Sequence, residues 1–270
     1  MTATLAATRS ELTRLRRKGF TLGWLGLTFV LTLMISTFSF VVAGDGTDVS
    51  AAPGGGFPTA AELSGADGRM LPLGAAATIL GVVTLSFWAV ATASDYVTGL
   101  IRLLVQAQPG RARLLMGKVL ALIGWTALVT TIATVAVLFS GPVVAEGTGV
   151  STAAWSTDPA TVAGQVLGSW LNTFLALVVW GVIGLVIAVL AKSSAVAISV
   201  GLGYVLVIEG LLRAIAPDVA DWLPGATLTA LAKGGTSTTS YAAALGLGFA
   251  YAAIGLIVAV LVFRRRDVTD

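Results

Sequence analysis

Six stretches of this 270-residue chain, at 20–43, 71–93, 119–139, 167–190, 196–216 and 242–263, are nearly free of charge. Each is about as long as a helix must be to cross ~30 Å of hydrocarbon. No water pairs with backbone N–H and C=O groups there, so such stretches must be helices or strands of a closed barrel. The short alternating segments of a barrel are missing. The sequence therefore predicts an all-α integral membrane protein with six transmembrane helices. Spans of this length use about half the chain, so residues 1–270 read as one membrane domain with short connections. Only 11% of the residues are charged, against roughly a quarter in soluble domains, too few to cover a globular surface. The first stretch follows Arg14, Arg16, Arg17 and Lys18 as a signal core would. It is about twice as long as such a core, and we read it as a retained span.

The loops orient the spans, because cations concentrate on the cytoplasmic side. With the N-terminus inside, the inner segments hold Arg9, Arg14, Arg16, Arg17, Lys18, Arg102, Arg111, Arg113, Lys118, Lys192, Arg264, Arg265 and Arg266, thirteen of 16 cations. The outer loops keep Arg69 and Lys233 beside the acids Asp45, Asp48, Glu62, Asp67, Glu146, Asp158, Asp218 and Asp221. Both termini are then cytoplasmic, and abundant Ala, Val and Gly, with Arg supplying twelve of the 16 cations, suggest a high-GC bacterial genome and so a bacterial cytoplasmic membrane. Two outer segments differ. The Gly- and Pro-rich 44–70 reads as a mobile loop, whereas 217–241, with Trp222, Pro224 and an apolar run, fits either a re-entrant segment or a plain loop with an aromatic anchor.

The chain has neither Cys nor His, which removes disulfides, thiol nucleophiles, Cys/His metal sites and imidazole acid–base chemistry. A net charge of +3, dispersed over loops, gives no footprint for nucleic acid. Chemistry must come from elsewhere. The cytoplasmic stretch 94–118 is the informative one. At 100° per residue, Val97, Leu100, Ile101, Leu104 and Val105 form an apolar stripe opposite Asp95, Thr98, Arg102 and Gln106. Ser94 or Asp95 suits the start of such an amphipathic helix and Pro109 its end, with Arg111, Arg113 and Lys118 following. It reads either as an interfacial helix held by lipid head groups or as a docking element for a soluble partner.

The order Asp95-Tyr96, Gly99, Arg102-Leu103-Leu104, Pro109, Arg111 and Gly117-Lys118 resembles the acid, "G-T-L-R-x-L-L", "P-x-x-R" and "G-K" pattern of permease subunits of type-2 ATP-binding-cassette (ABC) exporters. Chain length, six spans and inside termini fit the same resemblance. The departures are Asp95 where Glu is usual, Leu100-Ile101 in place of Thr-Leu, and Gly110-Arg111-Ala112-Arg113 after the proline. The resemblance implies a transport subunit, not an enzyme. Two such subunits, identical or homologous, would form the pathway, with two copies of a separate nucleotide-binding ATPase bound below. ATP and magnesium would sit on that partner. The implied docking residues are Asp95, Tyr96, Gly99, Arg102, Leu103, Gln106, Pro109 and Arg111. The substrate class stays open among lipid, peptide and hydrophobic drug. Residues 1–19 resemble the family's interfacial connecting helix, with capping-box spacing in Thr8-Arg9-Ser10-Glu11 and a weak apolar face of Leu5, Leu12 and Leu15; lipid anchoring alone explains it equally.

No cofactor site is expected in the chain itself. A phosphate loop needs G-x-x-x-x-G-K-[ST], and Gly110 to Lys118 has six residues between its glycines and Val119 where the hydroxyl should be. The pairs Gly164/Gly168, Gly181/Gly184, Gly201/Gly203 and Gly246/Gly248 read as close helix packing. One ion pair lies inside a span: Glu209 and Arg213, four residues apart with the acid first. It reads as structural, with proton coupling in a secondary carrier as the competing role.

Overall fold

The computed structural model describes residues 2–15, 18–46, 56–99 and 110–265. All regular structure among them is helical: α1 Thr2–Leu15, α2 Lys18–Gly44, α3 Ala60–Leu63, α4 Leu71–Val97, α5 Arg111–Thr148, α6 Pro159–Ala191, α7 Ser194–Gly203, α8 Glu209–Ile215, α9 Pro217–Ala220, α10 Pro224–Lys233 and α11 Tyr241–Arg265. A 3-10 turn, Gly68–Met70, leads into α4.

Five segments are long and apolar enough to cross a membrane: Thr21–Gly44, Gly68–Val97, Ala112–Thr148, Pro159–Ala191 and Tyr241–Arg264. The stretch expected at 196–216 takes another form. α7 runs into a π turn, Tyr204–Ile208, and only then into α8. Gly201, Gly203 and Gly210 flank the β-branched Val205, Val207 and Ile208, a poor α-helix-forming composition, and a π turn absorbs one extra residue without unpairing the backbone. Helix ends also exceed the apolar stretches. α5 includes the basic residues from Arg111 onward and continues past Pro142, because hydropathy marks the greasy part of a helix and not its hydrogen-bonded length.

The centre of the bundle is the α4–α6 contact, built as a reciprocal exchange. A Cβ at Gly81 would lie 2.4 Å from Trp180, and one at Gly181 would lie 2.4 Å from Trp88. Each indole fills the place a side chain on the facing helix would take, and both are essentially buried. Trp88 Nε1 donates to Thr126 Oγ1 of α5 at 3.0 Å, so the polar edge of the ring is paired. Gly184 abuts the Leu85 backbone, whereas Gly164, Gly168, Gly203 and Gly246 meet nothing within 4 Å. Close packing therefore explains Gly181/Gly184 and not those four.

Two segments between the long helices carry structure of their own, residues 47–55 of the first lying outside the described residues. Residues 56–70 form a packed cap. Thr59 and Glu62 make a reciprocal capping box, Leu63 is fully buried, and Trp155 Nε1 donates to the Leu63 carbonyl at 2.8 Å. Gly and Pro made the segment look featureless, but one leucine and a distant tryptophan give it a core. Within 217–241, α10 packs against α4, α6 and α11, with Leu228 and Leu231 buried. Of the two alternatives, this packing favours an inserted segment over a plain loop.

Candidate functional site

The face that α1 turns to the protein carries Ala7, Glu11 and Arg14, one side of a helix at i, i+4 and i+7. Ala7 sits so close to α5 that a Cβ at Gly117 would lie 2.6 Å from its methyl. The weak apolar face of Leu5, Leu12 and Leu15 points mostly away from the bundle. Leu5 and Leu12 are exposed, and only Leu15 packs on the core. Thr8 does not cap the helix either, since α1 already runs from Thr2 and the Thr8 hydroxyl donates to the Thr4 carbonyl at 3.0 Å.

Glu11 pairs with Lys118 near the start of α5, and through Lys118 and Arg14 it is linked to Asp95 in the last turn of α4. Lys118 Nζ lies 3.0 Å from Glu11 Oε2 and 2.8 Å from Asp95 Oδ2, and donates to the Ala91 carbonyl at 3.0 Å. Three donors meet three acceptors, so the ammonium is fully satisfied. Arg14 closes the ring, pairing with Glu11 Oε1 at 2.8 Å and with Asp95 Oδ1. Glu11, Asp95 and Lys118 are 8%, 3% and 7% exposed, while Arg14 reaches toward the surface. Two acids and two bases make the cluster neutral, the condition under which buried charges are tolerated. Burial alone would lower the Arg14 pKa; the hydrogen bond and charge of Asp95, then Glu11, outweigh it and hold it above its ordinary value.

A small cavity of about 40 Å³ adjoins the cluster, walled by Thr92, Tyr96, Leu115 and Phe263 among others. Lys118 directs all three of its protons at acceptors on α1 and α4. What the arrangement does is fasten three elements together.

Among the residues expected to dock a partner, Asp95, Tyr96 and Gly99 are described, and Arg102, Leu103, Gln106 and Pro109 lie outside the described residues. Sequence periodicity put Asp95 on a polar face beside Arg102; the structure buries it in the cluster. Nor does a new helix begin at Ser94 or Asp95. α4 continues through Val97, with Thr98 and then Gly99, at φ +67°, terminating it. Arg111 opens α5.

The second charged site joins α8 to α10. Arg213 donates to Glu209 Oε1 at 3.2 Å, and the other carboxylate oxygen, Oε2, accepts from Gly225 N–H at 3.1 Å. Gly225 is in the first turn of α10, where N–H groups lack partners within the helix and an anion is favoured. A Cβ at Gly225 would lie 2.2 Å from Glu209 Oε2, so any other residue there would push the carboxylate from its seat. Glu209 is 3% exposed. Sequence spacing identified its partner four residues on but not the helix end sixteen residues away.

No curated protein matches the chain. Residues 51–269, well over half its length, match the family model described as "Protein of unknown function (DUF2705)", and the chain belongs to that family.

Proposed function

We propose that the chain is the membrane-embedded permease subunit of an ABC exporter. It works in the bacterial cytoplasmic membrane with six spans and both termini inside. The helix–π–helix segment α7–α8 is the sixth span, and the spans of two subunits, identical or homologous, enclose the pathway. Two copies of a separate ATPase bind the segment between α4 and α5, and ATP and magnesium act there. Arg102, Leu103, Gln106, Pro109 and Arg111, with Tyr96 and Gly99, contribute the contact, and Asp95 anchors it from behind.

The observation that carries this reading is the buried charge cluster. A segment that passes force from a soluble motor to a bundle must be held at both ends. Glu11, Arg14, Asp95 and Lys118 lock the last turn of α4 to the first turns of α5 and to α1. A push on the intervening residues would thus move three helices as one body. The cluster also explains why a lone acid, Glu11, stands in an otherwise basic N-terminal segment.

The buried carboxylate of Glu209 favours one competing reading, a proton-coupled carrier. Its two protein partners, Arg213 and the Gly225 N–H, support a structural role instead. Tagged protein purified from its native membrane separates the two. The exporter reading predicts a bound ATP-hydrolysing subunit whose capture or coupling weakens in Arg102→Glu. Transport without such a subunit, abolished by a proton ionophore and by Glu209→Gln, would transfer the function to the carrier.

A further inference from the structure

Beneath the elbow where α1 turns into α2 runs a groove of about 500 Å³, lined by Arg9, Leu12 and Leu15 on one side and Gly124, Trp125 and Leu128 of α5 on the other. Thr21 of α2 pins the elbow by donating its hydroxyl to the Leu15 carbonyl. The deep wall is fixed, since Trp125 stacks on Phe87 with ring centroids 4.6 Å apart. The floor is open, because a Cβ at Gly124 would meet nothing within 4 Å. Leu12 and Leu128 stay 43% and 44% exposed along the rim.

Charge is unbalanced here. The acids nearest in the fold, Glu11 and Asp95, are both committed to Arg14 and Lys118. Arg9 is exposed and has no carboxylate partner among the described residues. An unneutralised guanidinium over an apolar trough presents two chemistries at once. The cation matches a phosphate, and the leucine and tryptophan walls match a hydrocarbon chain. A free anion would leave the trough empty, and a zwitterionic lipid, whose phosphate already has its own ammonium, would leave the charge of Arg9 unbalanced.

We infer that this groove binds one anionic phospholipid, its phosphate at Arg9 and an acyl chain along Trp125 and Leu128. The lipid wedges α1 against α5 on the side opposite the charge cluster. This goes beyond the exporter reading and needs only that the chain sit in a membrane.

The test uses the full chain, delipidated in detergent and mixed with equal amounts of phosphatidylglycerol and phosphatidylcholine bearing the same acyl chains. Retained lipids are counted by native mass spectrometry. The unaltered protein should prefer phosphatidylglycerol by roughly fivefold, the worth of one surface cation to an anionic lipid. Arg9→Gln should abolish the preference at unchanged melting temperature. Gly124→Phe, which adds a ring in open space, should expel both lipids. Equal retention of the two lipids, or an undiminished preference in Arg9→Gln, overturns the proposal. So would displacement of the lipid by glycerol phosphate alone, which would reduce the site to its cation. Disulfide-linked pairs of Gly124→Cys formed in full yield in the membrane would overturn it too, by placing a second copy in the groove.

Discussion

Replacing Lys118 by Met removes a cation and nearly nothing else, because the two side chains have similar length and the site is closed. The ammonium serves Glu11 Oε2, Asp95 Oδ2 and the Ala91 carbonyl. After the change Arg14 faces two carboxylates alone, and the cluster passes from neutral to one net negative charge with Glu11 and Asp95 still buried. Breaking a buried pair by removing one partner costs about 3–5 kcal/mol, nearly all of it the desolvation of the charge left behind. For a chain of this size that is a fall in Tm of about 6–20 °C. Adding Asp95→Asn restores neutrality, with Glu11 and Arg14 still paired at 2.8 Å. The double variant should therefore lose no more than either single one, a coupling that independent sites would not show. Thermal unfolding in detergent, followed by tryptophan fluorescence and by retention of a monodisperse size-exclusion peak, measures all three variants. A Lys118→Met protein that melts within about 2 °C of the unaltered one, or single losses that simply add, would refute the clamp.

Gly225→Ala should destabilise the junction of α8 and α10, since the added carbon would lie 2.2 Å from Glu209 Oε2; Glu209→Gln, which keeps an acceptor for the Gly225 N–H, should cost less by the same melting assay. Gly181→Leu drives a side chain into the space of Trp88 and should cost more than the ~1–3 kcal/mol of ordinary overpacking, whereas Gly164→Leu, with nothing within 4 Å, should be tolerated. Asp158 caps α6 by accepting from the backbone N–H and then the hydroxyl of Thr161, which holds its pKa below the ordinary 3.8. A depressed carboxylate lends stability above its unfolded value and loses it as pH falls through the folded one. Hydrogen exchange in the first turn of α6 should therefore quicken only as pH drops below 3.8, and Asp158→Ala should remove that acid response. In a chain free of cysteine, single cysteines at Ser156 and Lys192 should label from outside and inside the cell respectively; the opposite pattern would invert the orientation.

The helices were legible because lipid leaves an apolar stretch few other choices: five of the six expected stretches fall within long apolar helices, and the sixth, 196–216, is divided into α7, a π turn and α8. What escaped were features without a local signature. The π turn at Tyr204–Ile208 keeps the composition of a span and changes only its hydrogen bonding. The charge cluster joins Lys118 to Glu11 across 107 residues of sequence, and no periodicity connects them. Its one trace was chemical: an acid in a basic segment and a lysine at the edge of an apolar stretch. The helical phase of 94–106 misled for a related reason. Asp95 was phased with residues beyond Gly99, whereas it belongs to α4 and follows that helix inward. The cap at 56–70 was hidden because Leu63 finds its partner Trp155 only 92 residues further along the chain.

As a permease subunit, the chain must touch an ATPase through the segment between α4 and α5. A photo-crosslinking amino acid placed at Arg102 in living cells reads this contact directly, with Gly65 on the outer cap as control. A crosslinked adduct is expected from Arg102, absent from Gly65, whose partner binds and hydrolyses ATP after release. Adducts from Arg102 to lipid alone, or to no ATP-hydrolysing protein, would contradict the permease role.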